Sequence, residues 1–159
     1  METLIIGATK SEIEPLLNMF PNKTKAVGVI GDIYTIVVNS DKYIITTVGM
    51  GLVESSSSLS NLLTGSNISR IVFIGFAACS KNIGNIGDII LVESSRRLDF
   101  DVSPLVGEVN KHPNYDKILK TSEELNKILE RPYYRSMESA TVDRFETENT
   151  GFVTDCGLS

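Results

Sequence analysis

Three short stretches of this sequence carry residues able to do chemistry. The first is Thr9-Lys10-Ser11-Glu12-Ile13-Glu14, which follows the strand-like run Thr3-Leu4-Ile5-Ile6 and the small-residue turn Gly7-Ala8. A carboxylate at a helix start has two uses: it accepts the cap amide in a capping box, or it points into a cleft and takes a proton from water. Starting the helix at Thr9 makes Glu12 the capping carboxylate but leaves Pro15 beyond the first turn, where its ring clashes with the preceding carbonyl. Starting it at Ser11 eases Pro15 and frees Glu12, and both accounts stay open. The second stretch, Val48-Gly49-Met50-Gly51-Leu52-Val53-Glu54, is a strand, a glycine pair and a helix start. Exposed amides at such a start favour a phosphate or a polar ligand oxygen. The third, Gly75-Phe76-Ala77-Ala78-Cys79, follows the apolar run Ile71-Val72-Phe73-Ile74. Small residues there let the backbone approach a ligand closely, with tight packing alone as the other account.

The elements that must position these residues can be read from periodicity. Ile71 to Ile74 reads as a strand buried on both faces, hence central in a sheet, and Ile89 to Val92 as a second buried strand after the turn at Gly84, Gly87 and Asp88. Ile13, Leu16, Leu17 and Phe20 stand at helical spacing, ended by Pro21-Asn22. Val27 to Ile30 and Ile33 to Val38 flank Gly31-Asp32 as a hairpin, followed by a turn at Asn39 to Lys42 and a strand from Tyr43 to Val48. The next helix carries Val53, Leu59, Leu62 and Leu63, with Ser55 to Ser58 as a small-residue face on the sheet. Arg96 to Asp101 reads as a solvated strand end, and Ser103 to Pro113 as a loop holding His112, a lone surface histidine. Asp116 to Leu129 reads as an amphipathic helix, Tyr133 to Asp143 as strand-like towards its end, and Gly151 to Thr154 as a last short strand. Strands alternating with helices give an α/β fold, a mixed central sheet flanked by helices on both faces, with ligands expected beyond the carboxyl ends of the strands. No internal repeat, linker or boundary divides residues 1–159, so a single domain is expected.

Composition narrows the function classes. The chain has 159 residues, 42% hydrophobic and 22% charged, with a formal charge of −5. This size buries a core without disulfides or metals. The mild acidity argues against nucleic acid or an anionic membrane surface as partner. The two cysteines, Cys79 and Cys156, form neither a CxxC pair nor a metal spacing. Cys79, beside a core strand, reads as a small hydrophobe. With no signal-peptide pattern and no apolar run near the roughly 20 residues that span a bilayer, a reduced cytoplasmic setting is expected. A dinucleotide-dependent oxidoreductase is disfavoured, because neither glycine turn completes the fingerprint.

The segments TLIIGATKSEIEPLL, TTVGMGLVESSSSL and IVFIGFAACSKNIGNIGDIILVE, in this order and at these separations, resemble the nucleoside phosphorylase/nucleosidase superfamily. Methylthioadenosine/S-adenosylhomocysteine nucleosidases and futalosine hydrolases are the most similar groups, and the resemblance runs from Thr3 to about Thr154. It implies cleavage of the N-glycosidic bond of a purine nucleoside, without a cofactor or metal, on a twisted mixed sheet between helices, in a homodimer. It makes Glu12 the residue that activates the attacking water. It places Met50 and Gly51 against the ribose and water, Phe76 and Ala77 in the ribose and base pocket, Phe145 in a stack on the purine, and Glu146 at the base edge through its backbone. The nucleosidase pattern has a serine at Phe76, a place where futalosine hydrolases tolerate an apolar residue. Lys10 is the only cation in the first loop, which favours hydrolysis over phosphorolysis. The resemblance sets the ribose-binding Met-Glu pair and the aspartate that protonates the leaving purine after the last strand seen here, so the chain is expected to lack its C-terminal part. A purine nucleoside phosphorylase and a shortened, non-catalytic nucleoside-binding homologue are the alternatives.

Overall fold

The computed structural model describes residues 1–28, 31–79, 83–97, 103–106 and 118–143. They fall into two compact units, Met1–Ala78 and Cys79–Ser159. The first unit runs β1 (Glu2–Gly7), α1 (Lys10–Asn18), β2 (Thr24–Val27), β3 (Asp32–Val38), β4 (Asp41–Thr47), α2 (Leu52–Leu63) and β5 (Ile68–Phe73). Its five strands form one sheet in the order β2-β3-β4-β1-β5. β1 pairs parallel with both β4 and β5, whereas β2, β3 and β4 form an antiparallel meander, so the sheet is mixed.

The two helices cover opposite faces of this sheet. Side chains alternate across a strand, and β1 shows the alternation directly. Ile5 packs with Ile13 and Leu17 of α1 and with Ile36 and Ile45. Its neighbours Leu4 and Ile6 pack on the other face with Val48 and with Leu59 and Leu62 of α2. Leu4, Ile13 and Ile45 are among the fully buried side chains. The expected arrangement of a mixed sheet between helical layers is therefore present in the first unit.

Several sequence expectations need correction. The run Ile71 to Ile74 is not central: β5 is the outermost strand of its sheet among the described residues, with Ile71 39% and Phe73 62% exposed. The middle strand is β4, flanked by β3 and β1. An apolar run reports that a strand is attractive to a sheet, not that it has a neighbour on each side. The hairpin between β2 and β3 exists, but β2 begins at Thr24 and the connection spans residues 28–31 instead of Gly31-Asp32, with the Gly28 N–H donating to the Gly31 carbonyl at 2.8 Å. The next turn is where expected: Asn39 and Ser40 take φ of 50° and 70°, the backbone hand that a tight antiparallel hairpin needs. On α2, Val53 is 80% exposed and only Ser58 of the serine run is buried. Ser58 earns its place by hydrogen bonding, its Oγ lying 2.8 Å from the carbonyls of both Val48 and Glu54.

The second unit contains β6 (Ile90–Arg97), a short helix α3 (Ser103–Val106), β7 (Ile118–Lys120), α4 (Glu123–Leu129) and β8 (Arg135–Thr141), with the strands in the order β7-β6-β8. Residues 118–129 do not form the single expected helix. Ile118 to Lys120 pair with β6, the Thr121 hydroxyl donates to the Val92 carbonyl at 2.8 Å, and Ser122 caps α4 by accepting the Leu125 N–H. A capping serine in mid-pattern marks a helix start, and it outweighs the apolar spacing on either side. Ile89 is 49% exposed, so Ile89 to Val92 is not buried throughout. Arg96 is not solvated: it grips Glu138 on β8 through Nε and Nη2, with its side chain 15% exposed. Cys79 is exposed, not core. His112, Phe145, Glu146, Cys156 and the expected strand Gly151 to Thr154 lie outside the described residues.

Candidate functional site

Topology fixes where a site can form in the first unit. The chain leaves β1 into α1 on one face and leaves β4 into α2 on the other. Neighbouring parallel strands whose connections depart to opposite faces open a crevice beyond their carboxyl ends. β1 and β4 are such a pair, with Gly7 opposite Thr47. The Val48 N–H donates to the Gly7 carbonyl at 2.9 Å, and the Ile74 N–H donates to the Ile6 carbonyl at 2.8 Å, so all three loops start side by side. They are the turn after Gly7, the turn Val48 to Gly51, and the segment Gly75 to Ala78. A cleft of about 400 Å³ opens on the α2 side of β4, between the β2–β3 connection and α2, lined by Gly31, Thr47, Asn61 and Leu62 among others. None of the candidate residues lines it, and strand topology locates the site better than the size of an open cleft.

Glu12 sits where these loops meet. Helix α1 starts from Thr9 as N-cap, so Glu12 is its third residue, and Pro15 lies inside the helix. Pro15 has no N–H to offer the Ser11 carbonyl, a loss the helix absorbs close to its start, where its ladder has just begun. The Thr9 N–H donates to Glu12 Oε2 at 2.8 Å, and the Thr9 hydroxyl donates to the same oxygen at 3.3 Å. The other oxygen, Oε1, accepts the Phe76 N–H at 3.1 Å. The two accounts of Glu12 are thus not exclusive: one oxygen caps α1 and the other faces the loop after β5. Gly75 makes room for this, since a Cβ there would lie 2.9 Å from Glu12 Oε1. Phe76 is 79% exposed and Ala77 is exposed next to it.

The turn between β4 and α2 has its own carboxylate, one that the sequence reading passed over. Gly49 and Gly51 take φ of 85° and 83°, a region L side chains rarely adopt. Glu54, the third residue of α2, folds back so that its Oε2 accepts the Met50 N–H at 3.2 Å. Met50 is 70% exposed. Glu54 was findable by position, since it repeats the placing of Glu12 three residues into a helix that follows a parallel strand. Lys10, the cation of the first loop, pairs with Glu14 at 3.7 Å. The structure brings Glu12, Met50, Gly51, Phe76 and Ala77 to one edge of one sheet, and leaves Phe145 and Glu146 undescribed. Among the described residues, no cluster of three or more His, Cys, Asp or Glu side chains could hold a metal ion.

The sequence pattern of the phosphorylase superfamily matches residues 2–153. The chain belongs to that superfamily. Among proteins of this superfamily, the aminodeoxyfutalosine nucleosidase of Campylobacter jejuni is 24% identical over 128 residues, covering 80% of this chain and 56% of the relative. The chain thus spans little more than half the length of that relative. Solved structures agree on the fold. The 5′-methylthioadenosine/S-adenosylhomocysteine nucleosidase of C. jejuni superposes with a TM-score of 0.86 at 22% identity, over 99% of this chain and 72% of that one. The futalosine hydrolase of Helicobacter pylori gives 0.87 at 18% identity, over 100% and 75%. A mutant of the H. pylori nucleosidase, with 5′-methylthioadenosine in its active site, gives 0.84 at 20% identity, over 99% and 72%.

Proposed function

We propose that this phosphorylase-superfamily chain takes part in hydrolysis of the N-glycosidic bond of a purine nucleoside, of the methylthioadenosine/S-adenosylhomocysteine or futalosine type. The observation that carries this is the placing of Glu12 at the β1–β4 crevice with Oε1 turned to the Phe76 amide. In this reading Glu12 takes a proton from water as the water oxygen bonds to C1′ and the purine departs with the electrons of the broken C–N bond. Met50 and Gly51 line the sugar side and Phe76 and Ala77 the pocket, while Phe145 stacks on the base and Glu146 meets the base edge through its backbone. The names of the relatives support hydrolysis. So does the first loop, whose one cation, Lys10, pairs with Glu14. The match over residues 2–153 runs through both compact units and supports one phosphorylase/hydrolase-like domain.

A homodimer in the cytoplasm completes the proposal, with a small-molecule nucleoside as partner. Among the described residues, no helix is long and apolar enough to cross a membrane. The test is release of free purine from methylthioadenosine, S-adenosylhomocysteine and futalosine, with and without phosphate. Release independent of phosphate is expected. A rate that needs phosphate would replace the hydrolase by a phosphorylase, and binding without release would leave a nucleoside-binding homologue.

A further inference from the structure

We propose that Glu54 is a positioning residue which, together with Ser55, clasps the Gly49-Met50-Gly51 turn and sets its contribution to nucleoside binding. Glu54 Oε2 accepts the Met50 N–H at 3.2 Å. One residue further on, the Ser55 hydroxyl donates to the Gly51 carbonyl at 2.7 Å. The turn is thereby held from both sides, by an acceptor on its amide and a donor on its carbonyl. The fit is tight as well as polar: a Cβ on Gly49 would lie 2.3 Å from Glu54 Cδ, so the carboxyl group rests directly on the glycine.

The turn needs such a clasp. Two glycines with left-handed φ flank a single residue, and glycine has the most backbone freedom to lose on ordering. The Met50 side chain is 70% exposed, so packing does little to fix it. The positive end of the α2 dipole lies under the Glu54 carboxylate and favours it there. The proposal rests on the nucleosidase reading in one respect, since that reading puts Met50 and Gly51 beside the sugar.

The experiment uses the full chain, with hydrogen exchange at the Met50 amide as one readout and purine release from 5′-methylthioadenosine as the other. Glu54→Ala is expected to speed Met50 exchange about tenfold or more, as for loss of a hydrogen bond to a charged acceptor. It should also raise KM with kcat unchanged, the mark of lost uniform binding. Glu54→Gln keeps an acceptor oxygen and should restore both. Ser55→Ala should shift KM in the same direction while leaving helix α2 folded. A merely structural Glu54 would lower the melting temperature and leave KM alone, and that outcome overturns the proposal. So does unchanged Met50 exchange in Glu54→Ala. If the wild type releases no base from any nucleoside, the nucleosidase reading fails by itself. Calorimetric affinity for 5′-methylthioadenosine then replaces KM: weaker binding by Glu54→Ala supports the clasp, and equal binding, or none by either protein, overturns it.

Discussion

Glu12 divides its two oxygens between two loops, and this changes what a substitution there should do. A carboxylate oxygen has two lone pairs. Oε2 spends both on the Thr9 amide and hydroxyl, whereas Oε1 meets only the Phe76 amide among the described residues. A water to be activated would therefore approach on the Phe76 side. Glutamine offers one acceptor oxygen, so Glu12→Gln must turn an NH₂ group towards either Thr9 or Phe76. We expect turnover to fall by about 10²–10⁴-fold, the usual contribution of a general base. Stability should fall by about 1–3 kcal/mol, for an amide left without its acceptor. Kinetics together with urea unfolding measure both, and a wild-type rate with unchanged stability would end the catalytic assignment. Gly49→Ala is expected to cost about 1–2 kcal/mol for the left-handed backbone alone, more once the Cβ meets Glu54, and chemical denaturation reads it. The capping half of Glu12 was legible because Thr9 and Glu12 are neighbours in sequence. Its contact with Phe76, 64 residues away, was beyond any local pattern.

At the scale of elements, the two faces of β1 carry the two cores. Leu4 is fully buried against α2, and Leu4→Ala is expected to destabilise by about 2–5 kcal/mol in thermal or urea unfolding. The β2–β3 hairpin brings a pH dependence. Lys25 pairs with Asp32 across it at 2.8 Å, and this hydrogen bond, before any other influence, holds the Asp32 carboxyl below its ordinary range. A group whose folded pKa is lowered adds stability above its unfolded pKa and loses it as pH falls through the folded one. The melting temperature should thus drop on acidification through and below the ordinary carboxylate range, and Asp32→Asn should flatten part of that drop. Both groups are exposed, so the effect is small and salt-sensitive. Alternating periodicity made the strands, the helices on both faces and the Asn39-Ser40 turn legible. The order of strands was not, because the outermost β5 advertises itself by Ile71 to Ile74 more strongly than the inner strand β1 does by Leu4 to Ile6. Arg96 reads as a solvated charge until β8 brings Glu138 alongside it, a partner 42 residues away.

At the scale of the molecule, family membership rests on a match that runs through both units, whereas the proposed activity rests on one edge of one sheet. Light scattering at micromolar concentration is expected to give a dimer mass, and a monomer would remove the homodimer from the proposal. The parallel strands β1, β4 and β5 all end at the edge that holds Glu12, so the candidate residues of the first unit gather at one edge and leave the opposite one idle in the proposed reading. Met1 lies at the idle edge, its ammonium 3.2 Å from Asp41 at the start of β4. The Asn39-Ser40 turn and the exposed residues Gly65, Ser66 and Asn67 before β5 share that edge. A fluorophore, an affinity tag or a surface tether attached at these points therefore stands a strand's length away from Glu12. Protein anchored through them should keep the loops after β1, β4 and β5 open to solution.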